Sequence, residues 1–199
     1  MNGTSVFSKK PWFGREHEYG PVTVTIFITY FLALALLAAG FYSSQMEVQM
    51  NALDLLTGDH QKVRQLFQQV QRIRDNDEKK ELFDQIDTEL AVHAEIEETI
   101  FYPALEEHDE LKDMVREARE EHEQVEQLLL EIEDLATEDT DFTPQLAELE
   151  ETVEHHVAEE EEEMFPKVRE IFDKAALEQL GKELASAKGK QMNPGKQIA

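Results

Sequence analysis

From residue 51 onward, apolar side chains return every three or four positions, the spacing that places them along one face of a helix. A first stripe runs Leu53, Leu56, His60, Val63, Phe67, Val70, and a second runs Leu82, Ile86, Leu90, His93, Glu97, Ile100. A third runs Leu111, Val115, Ala118, His122, Val125, Leu129, Ile132, and a fourth Leu146, Leu149, Val153, His156, Val157, Glu160, Met164. Asp75-Asn76-Asp77 separates the first two stripes, and the polar run from Thr137 to Thr143 before Pro144 separates the last two. Pro103 and Pro166 are expected to end or kink the second and fourth helices, because proline lacks the amide that the helix ladder needs. The pattern predicts an all-α, up-and-down four-helix bundle over residues 51–187. A short C-terminal helix around 167–187 packs on its outside, and a Gly/Lys-rich tail over 188–199 is expected to be disordered.

A different pattern precedes the bundle. After an N-terminal tail of residues 1–21, positions 22–41 read VTVTIFITYFLALALLAAGF, twenty residues without a charge. That length suits a helix crossing a bilayer, so residues 22–42 are read as a transmembrane helix. A signal peptide is the rival reading, since Ala38-Ala39-Gly40 closes the run. The length of the run and the tail before it favour an uncleaved anchor. Lys9, Lys10 and Arg15 before the span and Glu47, Asp54 and Asp59 after it place the N-terminus in the cytoplasm. The expectation is a single-pass membrane protein. The alternative is a soluble cytoplasmic chain translated from Met50.

Charge and composition narrow the chemistry. The chain carries 44 acidic and 19 basic residues, a net charge of −25. Such a field repels phosphate backbones, so nucleic acid is not expected as a partner. Cysteine is absent, which excludes disulfides, thiolate nucleophiles and thiolate metal sites. Any metal must be held by imidazole and carboxylate.

The most informative feature is an internal two-fold repeat. Asp59-His60-Gln61-Lys62-Val63 is answered 62 residues later by Glu121-His122-Glu123-Gln124-Val125. HAEIEETIFYP, from His93 to Pro103, is answered 63 residues later by HVAEEEEEMFP, from His156 to Pro166. Residues four apart share a helix face, so His93 with Glu97 and His156 with Glu160 form two chelating pairs. Counting back from the prolines selects His156-Glu160 over the equally spaced His155-Glu159, and leaves His155 outside the cluster. In an up-and-down bundle, His60 and His93 then lie at one level, about 12–14 Å from the bundle end at 1.5 Å per residue. His122 and His156 match in the same way. A lone histidine on an apolar stripe is usually a satisfied core residue. Four at one level with two glutamates would be costly to bury without a metal. The remaining members of the Glu159–Glu163 run read as a solvated acidic face, and His108 and His17 as surface residues.

These motifs resemble the hemerythrin-like, or HHE cation-binding, family, over about residues 51–166. The resemblance implies a bundle holding two non-haem iron ions bridged by two carboxylates, Glu97 and Glu160. His60 and His93 would serve one iron and His122 and His156 the other, with room for an oxo or hydroxo bridge and a diatomic ligand. One departure stands out. Oxygen-carrying members have a further histidine one turn after the third-helix histidine, where this chain has Glu126, a candidate carboxylate ligand. The departure turns expectation from simple oxygen carriage toward sensing of oxygen or nitric oxide, or slow redox chemistry and iron handling. An enzyme is the less favoured reading. A ferritin-like di-iron oxidase needs Glu three residues before histidine, and no histidine here has one. A bundle loaded with zinc or manganese, and a metal-free acidic interaction module, stay open as further alternatives.

Overall fold

The structure, a computed structural model, describes residues 50–192. The expected membrane span over residues 22–42 lies outside the described residues. Among those residues, no helix is long and apolar enough to cross a membrane.

Every regular element described is helical. The first long helix, α1 (Ala52–Val70), starts at Asn51, whose side chain accepts from the Asp54 amide at 3.1 Å. The second, α2 (Asn76–Ile96), starts at Asp75, whose carboxylate accepts from the Asp77 and Glu78 amides at 3.0 Å. Both caps satisfy amides that have no partner inside the helix. The second helix continues as a π-helical turn, π1 (Glu97–Phe101), and a last turn, α3 (Tyr102–Leu105). The third is α4 (Lys112–Glu133). The fourth is α5 (Phe142–Glu159), followed by π2 (Glu160–Met164) and α6 (Phe165–Ile171). Asp173 then turns the chain by accepting from the Ala176 amide at 2.8 Å, and α7 (Lys174–Met192) closes the described structure.

The prolines do not end their helices. A proline amide nitrogen cannot donate, so continued α-helix would leave a carbonyl four residues back without its partner. Each helix instead widens by one residue just before its proline. The Tyr102 amide donates to the Glu97 carbonyl, and the Phe165 amide donates to the Glu160 carbonyl, five residues back in both cases. The extra residue rotates the remainder of the helix. Phe101 is fully buried where the stripe with three-and-four spacing predicts Ile100, which is only partly covered. On α2 the same comparison brings Phe83 into the core and leaves Leu82 at its edge.

Helix α1 packs along α2, and α4 along α5, each pair joined by a short turn. Direct contact between α2 and α4 is sparse. Buried apolar residues form two separate groups. One, around Leu53, Phe101, Tyr102, Leu111, Phe165 and Leu177, lies at the end of the bundle that carries the π-turns. The other, around Phe67, Phe83, Ile86, Ile132, Phe142 and Leu149, fills the end with the interhelix turns. The buried histidines and glutamates lie around the boundary between the two groups along every long helix.

Helix α7 packs across α1, α2 and π1. The close crossing falls at Gly181, where a Cβ atom would come within 2.4 Å of the Met50 carbonyl oxygen. The expected disordered tail is corrected in part: α7 continues through Lys188, which pairs with Asp59 and stands 3.7 Å from Glu89.

Candidate metal centre

Two groups of potential ligands meet in the middle of the bundle. His60, His93, Glu97 and Glu160 each present a ligand atom within 4.8 Å of the others, and Glu97, His122 and His156 do the same. Glu97 belongs to both groups. Its Oε2 lies 3.1 Å from His93 Nε2 and 3.4 Å from His122 Nε2. Glu160 spans in the same sense, with Oε2 at 3.2 Å from His60 Nε2 and 3.8 Å from His156 Nε2. His122 Nε2 and His156 Nε2 approach to 3.2 Å. Each of the four imidazoles therefore turns Nε2 inward.

The π-turns contribute to this arrangement. Glu97 and Glu160 are the first residues of π1 and π2, so the local widening starts where the carboxylate must reach across to the opposite helix pair. Such widened turns recur at functional sites because they re-aim one side chain without breaking the helix.

The outward nitrogens face carboxylates. His60 Nδ1 donates to Glu161 at 2.8 Å, and His156 Nδ1 donates to Glu121 at 2.8 Å. His122 Nδ1 is 3.2 Å from Glu98, and His93 Nδ1 is 3.7 Å from Asp59. Three of these carboxylates meet a permanent cation: Glu161 meets Arg64 at 3.5 Å, Glu98 meets Arg119 at 3.7 Å, and Asp59 meets Lys188. Glu121 is met instead by His155 Nε2 at 3.6 Å. Carboxylates behind ligating histidines fix the ring and its tautomer. These four residues obey the sequence repeat. Asp59 and Glu121 each precede a matched histidine, and Glu98 and Glu161 each come directly after a matched glutamate. That register was the available signal. Glu161 thereby departs from the solvated acidic face expected of its run.

The two halves differ at one position. Tyr102 corresponds in the repeat to Phe165. The Tyr102 hydroxyl donates to Glu160 Oε1 at 3.0 Å, while Phe165 stacks on His60 with ring centroids 6.0 Å apart. Burial, with the Glu160 and Glu97 charges, pushes the Tyr102 hydroxyl well up, so it remains a donor. Glu160 thus gains a donor that Glu97 lacks. Burial, then the neighbouring Glu160 charge, pushes Glu97 well above the usual carboxylate range. Burial also opposes the charge on Glu160, but His156, His60 and His93 outweigh it and hold Glu160 at about 2. Burial pushes His93 down to about 4 against the pull of Asp59. For His60 and His156 burial acts downward too, yet Glu160 and the carboxylates on Nδ1 raise both.

Whether metal ions fit can be judged from atoms left without partners. His60 Nε2, His93 Nε2, both Glu97 oxygens and Glu160 Oε2 are buried and make no hydrogen bond. Each such group costs about 1–3 kcal/mol unsatisfied, and more when charged. All are good donors to a cation that prefers nitrogen and oxygen. The residues fit metal cations held among these imidazoles and carboxylates.

Of the seven ligands expected from sequence, six converge here. Glu126 does not. It is exposed on α4 and belongs to neither group. Val125 and Leu129, which flank it, turn into the core, so one turn beyond His122 the helix presents Glu126 at the rim. His155 also lies outside, 66% exposed, in a surface group with Glu121 and Glu159.

A cavity of about 620 Å³ reaches all four histidines and is walled in its interior by Val63, Leu90, Val125, Val153 and Val157.

Compared with known proteins, the chain matches the family described as Hemerythrin HHE cation binding domain over residues 51–168. It is 31% identical over 141 residues to a Nostoc sp. protein described as a DNA nickase, covering 71% of this chain and 40% of that protein. An uncharacterized hemerythrin-like protein of Schizosaccharomyces pombe is 31% identical over 115 residues, 57% of each chain. The chain thus spans about half the length of these curated relatives. Among solved structures, a hemerythrin HHE cation binding domain-containing protein from Mycobacterium kansasii aligns with a TM-score of 0.65. It is 27% identical, and the alignment covers 72% of this chain and 88% of that one.

Proposed function

Since the chain belongs to the hemerythrin HHE cation-binding family, we propose that its buried cluster holds two iron ions and binds a diatomic ligand such as oxygen or nitric oxide. The observation that carries the reading is the set of buried nitrogen and oxygen atoms without hydrogen-bond partners, in two groups that have Glu97 in common. His60 and His93 would hold one ion, and His122 and His156 the other. An iron pair supplies reversible electron transfer to a small ligand. The protein's own contributions are distinct from that. Glu161, Glu121, Glu98 and Asp59 orient the imidazoles, Tyr102 holds Glu160 by one oxygen, and the valines exclude water from the inner cavity.

Iron suits this set of imidazole and carboxylate ligands, in which Glu97 belongs to both groups. The reading is tested by the near-ultraviolet and visible spectrum of the purified, iron-loaded chain. Reduced protein should change its spectrum on exposure to oxygen or nitric oxide. A spectrum indifferent to reductant, oxygen and nitric oxide would defeat the ligand-binding part of the proposal.

The nicking activity named for the Nostoc relative is not carried over. The match covers 40% of that protein, and a net charge of −25 opposes binding to a phosphate backbone. The uncharged run over residues 22–41 supports a membrane anchor for the same domain. Full-length protein should then sediment with membranes and resist alkaline extraction, while a chain starting at Met50 should not. Recovery of full-length protein of unaltered mass in the soluble fraction would remove the anchor.

A further inference from the structure

The cavity that reaches the histidines has an opening whose position is set by its walls. Its buried walls come from all four long helices, but its exposed walls come only from α2 and α4. On α2 these are Ala91 and Glu95, and on α4 they are Glu123, Glu126, Leu130 and Glu133. The mouth is therefore the seam between α2 and α4. Ala91 and Ala94 are the small residues with which α2 lines it.

The seam is almost entirely of one sign. Asp87, Glu95, Glu98, Glu123, Glu126 and Glu133 line it, against the single cation Arg119. Arg119 is already engaged by Glu98 at 3.7 Å and Glu106 at 3.6 Å. Among the described residues, Glu95, Glu123 and Glu126 form no ion pair. The inward end of the same cavity carries an independent sign of what it admits. His93 is nearly fully buried, lines the cavity, and has hydrogen-bond partners on neither ring nitrogen. Acidic residues alone would be an ordinary solvated surface. Acidic residues around an opening that leads to the buried, unpartnered imidazole of His93 form a path.

We propose that the α2–α4 seam is the route by which divalent cations reach the buried cluster, drawn in by Glu95, Glu123 and Glu126. The proposal rests on the reading that the cluster binds metal. A cleft of one sign with apolar inner walls focuses its field and raises the local concentration of the opposite ion. Burial and the neighbouring Glu133 and Asp84 charges push Asp87 up, in keeping with a concentrated negative field at the seam. This also gives Glu126 a place as a carboxylate of the mouth.

The test is the rate at which the metal-free full-length chain takes up cobalt(II), monitored by its visible absorption after rapid mixing. The chain with Glu95→Gln, Glu123→Gln and Glu126→Gln is compared with one carrying Glu107→Gln, Glu148→Gln and Glu151→Gln, exposed positions away from the cavity. Both lose three charges, so a change in net charge alone affects them equally. At low salt the mouth variant should load about tenfold more slowly, within the range of electrostatic steering, and the gap should narrow as salt rises. Final stoichiometry should be the same for all three chains. Equal loading rates with full final occupancy would overturn the route and leave the metal site intact. Failure of every chain to take up cobalt would overturn the metal reading itself.

Discussion

His155 and His156 are adjacent, and each has a glutamate four residues on, yet the fold separates them completely. His156 Nε2 joins the buried group, while His155 is exposed and touches Glu121 from outside. His156→Ala should lose metal and lower the melting temperature, because the metal contributes folding energy. His155→Ala should keep its metal and change stability by no more than about 0.5 kcal/mol, as for most surface substitutions. Metal content and thermal unfolding of the two variants would show it, and the reverse ranking would mean that the proline-anchored register is wrong. The convergence of the four histidines was legible because imidazole is scarce in this chain and its spacing repeats. The carboxylates behind them were not, because 44 acidic residues hide the four that face these imidazoles. Tyr102 was hidden differently: its match in the repeat is Phe165, so symmetry suggested an apolar residue.

At the scale of elements, the stripes revealed four long helices, and every stripe residue is buried except Leu82 and Ile100 at the edges. Those two mark where simple helical periodicity stops describing the chain. A stripe built on 3.6 residues per turn cannot register a widened turn, and π1 shifts the buried position from Ile100 to Phe101. The proline that causes the widening was visible, but its consequence depends on the packing around it. Helix α7 presents a similar limit. Its crossing of α1 is set by Gly181, an ordinary residue in a helical stretch until the backbone of Met50 and Asn51 is seen against it. Gly181→Ala would ordinarily favour a helix by about 1 kcal/mol. Here the new Cβ would lie 2.4 Å from the Met50 carbonyl oxygen, so α7 must move away from α1. Overpacking of this kind costs about 1–3 kcal/mol, and the variant should melt several degrees lower. A rise in melting temperature would show that α7 is not held at this crossing. Because Lys188 on the same helix pairs with Asp59, the displacement should also loosen the carboxylate behind His93.

For the whole molecule, the polar layer separates two apolar cores, one gathered around the π-turns and the other around the interhelix turns. Among the described residues, eight polar or charged ones are buried, and six of these are the convergent histidines and glutamates. Without metal, that layer holds buried carboxylates and imidazoles whose ordinary protonation is displaced in both directions. Metal held among these residues would engage ligand atoms from both the α1–α2 pair and the α4–α5 pair. The direct measurement is the metal content per chain of protein produced in iron-replete medium, by elemental analysis against a protein concentration from amino-acid hydrolysis. The account predicts about two irons per chain, lost together with much of the thermal stability when the metal is removed by a chelator. Zinc alone, or far less than one metal ion per folded chain, would contradict it.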